Sequence, residues 1–370
     1  MSRDGSGGTL QGMNLGQPLS ELPWIRRLVD LEDARSEQTP EVGRQAFAAT
    51  GKRLGDELRS GPTVQAVRTL DLTTLVYPAP YAFDHSLAVP LPYVGLSHRC
   101  LYVELNTEDG LKRVLFNPTD FVASEATPYF ADMLARLPSK RLARKLLAKQ
   151  GGQVDEQLRA LGVQPESIDV IAFDHFHTQD LRPLLGTAEI AARFPNAYLL
   201  APKVAWRDWD ALHPMQQPWF VARGKDGLSM ERVVLTEDDL YLGEGCVLLQ
   251  TPGHTRGNQS LFVHGERGVF GVSENGCCAD NWSPEASRLP GVRRSAARRG
   301  LDVIMNVNTP ELASQQYNAM ILERSIVCPA EDGAPFVQMF SSSEVSPTWV
   351  APGIRPTWSM GERDSGTLAA

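Results

Sequence analysis

From residue 66 the hydrophobic pattern changes period. The runs AVRTLDLTTLVY, VPLPYVGLSHRCLYVELN and KRVLFNPTDF are short, rich in Val, Leu, Thr and Tyr, and broken by Pro, Gly and Asp-Gly. Such runs are successive strands, and their short connections imply an antiparallel sheet. Strand and helix patterns then alternate. SIDVIAFD reads as a strand, residues 183–193 as a helix, FPNAYLLAP as a strand and KVAWRDWDAL as a helix. GEGCVLLQTPGH and NQSLFVHGERGVFGVSENG supply strands with a hairpin at residues 264–268, DVIMNV one more strand, and PELASQQYNAMILERS a last helix. Two sheets packed face to face with helices outside, a four-layer αββα sandwich, bury all these apolar faces.

Residues 66–340 are read as this domain, and its flanks differ from it. Residues 1–65 begin with a polar, Gly-rich stretch read as a mobile tail, followed by two helical patterns. LPWIRRLVDLEDA sets Trp24, Leu28 and Leu31 on one helical face, and PEVGRQAFAATGKRLGDELRSG has proline at its start and glycine at its end. Both are expected to form an accessory layer or a homodimer contact. Residues 341–370 are a Ser- and Pro-containing tail whose Trp349 and Trp358 point to packing against the body or a partner subunit.

The balance of 36 Lys and Arg against 44 Asp and Glu, a net charge of −8, argues against a nucleic-acid partner. No stretch approaches the roughly 20 apolar residues of a membrane span, and the start lacks the apolar block of a secretory signal, so no membrane partner and a cytoplasmic location are expected. The five cysteines, Cys100, Cys246, Cys277, Cys278 and Cys328, form no metal-binding CxxC pair. Cys277 and Cys278 are read as small buried residues, with a redox pair as the lesser alternative.

Of seven histidines, His85, His98, His213 and His264 stand alone. They are read as surface or hydrogen-bonded core residues. His175 and His177 follow an apolar strand one residue apart, so that in extended backbone both rings project to one side. His254 ends another strand in TPGHT, where Pro and Gly force a turn that lifts the ring off the sheet edge. Three neutral imidazoles suffice for a tetrahedral zinc with a fourth position for water.

This order of elements, with its HxH strand end and PGHT turn, resembles the metallo-β-lactamase superfamily from about residue 90 to residue 327. TPGHTRGNQSLFV is most similar to the branch of N-acyl homoserine lactonases and related metallohydrolases. The resemblance implies that HxHxDH falls on residues 175–180, with Gln179 in place of the second-metal aspartate and Asp180 in place of the second-metal histidine. By strand counting it also implies that Glu274 takes the bridging aspartate's place and Asn308 that of the last histidine. The expected metal residues are therefore His175, His177, His254, Asp180, Glu274 and Asn308. Zinc is expected at the first site, with either a single metal or a second zinc, manganese, iron or magnesium ion on the oxygen donors.

Asp174 is expected to orient a ligating histidine through Nδ1 or to cap the following turn. Asp120 is read as structural, and Arg182 as its neighbour or the partner of Asp180. Tyr317 and Trp282 are candidates for a pocket wall or for core. Met215, Trp219 and Phe220 lie in an apolar loop that suits an acyl or aromatic group, or packing. The resemblance, taken with these residues, implies a metal-dependent hydrolase acting on an ester, lactone, thioester or related bond of a small molecule, with Asp180 or Glu274 handling the proton. The alternative is a degenerate member of the fold that binds metal or ligand without hydrolysis.

Overall fold

The computed structural model describes residues 12–37, 39–136, 139 and 151–369. Two sheets face one another. One contains, in spatial order, β1 (Leu15–Pro18), β2 (Arg26–Leu28), β9 (Asp239–Gly243), β10 (Cys246–Gln250), β11 (Gln259–Gly265), β12 (Gly268–Val272) and β13 (Met339–Phe340). The other contains β15 (Ser365–Gly366), β3 (Ala66–Pro78), β4 (Tyr93–Thr107), β5 (Gly110–Phe116), β6 (Val170–Ala172), β7 (Tyr198–Pro202) and β8 (Val233–Thr236), with β14 (Ser343–Ser346) also paired to β4. β3, β4 and β5 are antiparallel; β5 to β8 run parallel because a crossover, not a hairpin, joins each to the next.

The period of two along each strand sorts side chains between layers. Leu101, Val103 and Leu105 of β4 meet Leu240, Leu248 and Leu261 of the opposite sheet, filling the space between the two. Cys100 and Tyr102, on the other face of β4, lie in the core beneath the outer elements of the second sheet. On the first sheet, Val247 and Leu249 face outward onto Leu54, Leu58, Met320 and Ile326 of the helices Pro40–Ser60 and Ala313–Ile326. Those are the four layers the sequence implies.

Several local expectations are corrected. LPWIRRLVDLEDA is not one helix: Arg26–Leu28 pairs antiparallel with β9, and only Glu32–Ser36 is helical. Trp24 and Ile25 therefore bury between the sheets, whereas Leu28 and Leu31 bury on the outer face. Residues 183–193 hold one helical turn, Arg182–Leu185, which Gly186 ends at φ +80°, the left-handed backbone glycine adopts without a Cβ penalty. DVIMNV joins no strand: Ile304, Asn306 and Val307 donate their backbone N–H groups to the carbonyls of Asn281, Asn275 and Tyr81.

β1 and β2, and the later strands β14 and β15, belong to the two sheets. Trp358 stacks on Phe336 with centroids 5.9 Å apart, while Trp349 is 61% exposed. The run PSKRLARKLLAKQGGQVDEQLRALG, residues 138–162, reads as basic and helical, and residues 138 and 140–150 of it lie outside the described residues. All five cysteines are free thiols, with Cys277 and Cys278 buried. No described helix is long and apolar enough to cross a membrane.

Candidate metal centre

His175, His177 and His254 converge although one of them comes from a different sheet. His175 and His177 follow β6; His254 lies in the loop between β10 and β11. The two loops are tied together by Gln259, whose backbone N–H donates to the Asp174 carbonyl (2.7 Å) and whose side chain donates to the Phe173 carbonyl (3.0 Å). One nitrogen of each ring lies within 4.8 Å of one nitrogen of the other two. All three residues are buried.

The outer nitrogen of each ring is held by an acceptor. His175 Nδ1 donates to Asp174 Oδ1 (2.7 Å), His177 Nε2 to Gln216 Oε1 (2.7 Å) and His254 Nδ1 to the Asn306 carbonyl (3.2 Å). The amide of Gln216 is oriented in turn, since its Nε2 donates to Thr309 Oγ1 (2.9 Å). Each ring, when neutral, is thereby left with a lone pair on its inner nitrogen. Nδ1 of His177 and Nε2 of His254 stand 3.2 Å apart. Two lone pairs at that separation repel unless a cation lies between them, and two nitrogens on a tetrahedral zinc at about 2.0 Å are separated by roughly 3.3 Å. The donor set therefore fits one such ion.

Electrostatics separate the three rings. Burial, assisted by the charge on His175, drives His177 well below the usual imidazole range and His254 down to about 3. His175 goes the other way: the Asp174 carboxylate outweighs burial and raises it. Asp174 is fixed from several sides, accepting from Asn117 Nδ2 (3.0 Å) and from the Ser342 hydroxyl. Asn117 has φ +61°, as does Thr178 between His177 and Gln179. For a β-branched residue that backbone costs on the order of 1–3 kcal/mol, and such strain gathers at functional sites.

The histidines open onto a cleft of about 1100 Å³, including its mouth, whose walls carry Leu75, Tyr77, Phe121, Tyr129, Met133 and Trp219. Trp219, expected to be either wall or packing, is wall and lies 4.5 Å from the Tyr129 ring centroid. Phe220 packs edge-on against His177 at 5.1 Å, and Met215 is 59% exposed. Trp282 is core and donates to Glu323; Tyr317 bonds Asp302. Asp120 pairs with Arg193, not Arg182. His98 is buried between Ser343 and Thr119 and forms part of the cleft wall.

No family model matches the chain, and no curated protein matches it. Among similar solved structures is a quorum-quenching N-acyl homoserine lactone lactonase, at 18% identity over 65% of this chain and 87% of that one, with a TM-score of 0.42. A probable metal-dependent hydrolase from Staphylococcus aureus overlaps at 12% identity over 70% and 84%, with a TM-score of 0.46. AidC, a dizinc quorum-quenching lactonase, overlaps at 12% identity over 84% and 97%, with a TM-score of 0.48. Two facing sheets, helices outside and histidines at a shared edge define the architecture. This is a four-layer αββα sandwich.

The residues expected at a second metal position do not join the histidine group. Asp180 is not brought to the histidines: its Oδ1 and Oδ2 accept from Arg182 Nε (2.9 Å) and Nη2 (2.6 Å). A guanidinium two residues away has claimed the carboxylate that was expected to bind metal or take a proton. Glu274 does reach the cleft wall but is outside the close histidine group. Its Oε2 accepts from Ser341 Oγ (2.8 Å) and the Ser343 N–H (3.1 Å), and shares with Asp174 the single proton of the Ser342 hydroxyl, whose Oγ is 2.9 Å away. Burial, and next the charge of Asp174, push it up to about 7. Asn308 is buried with neither amide atom hydrogen bonded, and the side-chain oxygen of Gln179 is likewise without a partner.

Sequence reasoning passed over the residues that hold these groups. Gln216, Asn306, Asn117 and the serine run at residues 341–343 each fix a ligand or a carboxylate. The one signal in the sequence was the triplet of serines, which the tail reading absorbed.

Proposed function

We propose that the chain is a metal-dependent hydrolase working with one cation, zinc by the chemistry of three imidazoles, held by His175, His177 and His254. The observation that carries this reading is the set of three inward ring nitrogens, two of them 3.2 Å apart, opening onto an apolar cleft. A cation there supplies a Lewis acid for a carbonyl or related oxygen and brings the pKa of bound water to about 7.

The chain's own residues do the rest. Asp174, Gln216 and the Asn306 carbonyl keep each ring in the ligating tautomer. Glu274, near its midpoint at neutral pH, takes and returns the proton, held at Oε2 by Ser341, Ser342 and Ser343. The apolar wall around Tyr129 and Trp219 receives the carbon skeleton of a small substrate and excludes water. The bond cleaved is an ester, lactone or thioester. A second cation is disfavoured, because Asp180 already carries the guanidinium of Arg182.

The same pairing of Asp180 with Arg182 favours the second reading, a binding protein without hydrolysis. Metal analysis with a panel of esters, lactones and thioesters separates the two. One equivalent of metal, lost in His175→Ala together with turnover, is the result expected of the enzyme. Metal without turnover on any panel member would leave the binding reading. Glu274→Gln is expected to keep one equivalent while kcat falls by about 10²-fold or more; loss of a second equivalent would replace the single cation with two.

A further inference from the structure

Glu323 is a fully buried carboxylate that the proposed chemistry does not use. It lies on the helix Ala313–Ile326 and accepts four hydrogen bonds: on Oε1 from Ser260 Oγ (2.8 Å), Ser273 Oγ (2.9 Å) and Asn275 Nδ2 (2.8 Å), and on Oε2 from Trp282 Nε1 (2.7 Å). Seven residues earlier, two helical turns along the same face, stands Gln316, also fully buried. Its Nε2 donates both to the Asn275 carbonyl (3.1 Å) and to the Asn306 carbonyl (2.8 Å).

These are the groups on which His254 depends. The Asn275 side-chain oxygen accepts the His254 backbone N–H (2.9 Å), and the Asn306 carbonyl accepts from His254 Nδ1. Gln316 also packs against the residue before His254: a Cβ on Gly253 would lie 2.5 Å from Gln316 Cγ and 2.6 Å from Asn275 Oδ1. One side chain thus touches the backbone beside His254 and both of the residues that accept its hydrogen bonds.

We propose that Gln316 and Glu323 are positioning residues that lock the tautomer and orientation of His254, so that the outer helix presents the third ligand in its binding geometry before any cation arrives. The ring needs such help because its bond to Asn306 is the longest of the three outer bonds, at 3.2 Å against 2.7 Å for the other two. Gln316 fixes the acceptor, and Glu323 fixes Asn275 through a charge-assisted bond. That the locked ring serves a cation rests on the function proposed above; the locking itself does not.

The test reads His254 twice. In the cation-free protein, imidazole 15N shifts are expected to show a single tautomer protonated on Nδ1. Gln316→Met keeps the volume but loses both donors, and is expected to give a tautomer mixture and a 10–100-fold weaker zinc affinity by chelator competition. Glu323→Gln keeps an acceptor for Asn275 without the charge and is expected to weaken zinc several-fold, and it decides the matter if Gln316→Met does not fold. Variants that unfold at lower temperature but keep the wild-type 15N shifts and affinity would reduce both residues to ordinary core and overturn the proposal. If the wild-type chain takes up no zinc, the proposed function falls, while the 15N comparison still decides the positioning role.

Discussion

His175 differs from its two partners in protonation. Burial leaves His177 and His254 neutral well below pH 7, whereas Asp174 raises His175, so a cation displaces a proton chiefly from that one ring. Below the raised pKa of His175 the proton competes with the metal, and above it the competition ends. Zinc affinity is therefore expected to climb with pH, by up to about tenfold per unit, until pH passes the raised pKa of His175, and then to level off. Chelator competition across that range checks it, and a flat profile would contradict the assignment. The candidate ligands were legible as HxH and PGHT because each lies at a strand end whose direction local backbone sets. A motif position for Asp180 says nothing of Arg182, whose guanidinium reaches back two residues to bond both oxygens.

Helices and loops carry the next lesson. Pro40–Ser60 packs on Ala313–Ile326 through Gly51 and Gly55, spaced four apart on one face. A Cβ on Gly55 would stand 2.2 Å from the Ile326 carbonyl oxygen, which is backbone and cannot swing away. Gly55→Ala would gain up to about 1 kcal/mol of helix propensity, yet forcing these backbones apart costs about 1–3 kcal/mol. The net expectation is a loss of stability, read as a lower urea midpoint with unchanged slope; a gain would show that the helices slide freely. The same sequence run announced the helix by its terminal Pro and Gly. Its partner could not be read there, because a glycine face states that something approaches closely and not what.

At the scale of the whole molecule, the C-terminal residues are part of the sandwich and of the site. Arg363 reaches Glu331, Ser365 and Gly366 pair with β3, and Ser342 bridges Asp174 and Glu274. Two truncations separate these roles. Removing residues 355–370 strips the Phe336–Trp358 stack and β15 and is expected to lower the melting temperature while zinc affinity holds. Removing residues 341–370 also takes the serines and is expected to weaken zinc by about 10-fold or more. Equal affinity in the two would deny the serine bridge its role.

Strand periodicity, turn residues and the histidine spacing determined the layer order and the three candidate ligands, since each depends on backbone geometry over a few neighbouring residues. Tertiary structure alone decided what those ligands lean on. Asp174 meets a serine 168 positions away, and His254 meets the Asn306 carbonyl 52 positions away, which in turn is held from the outer helix. Such contacts have no local signature: a serine in a tail, a glutamine in a helix and an asparagine in a loop acquire their roles only when burial removes the water that would otherwise serve them equally well.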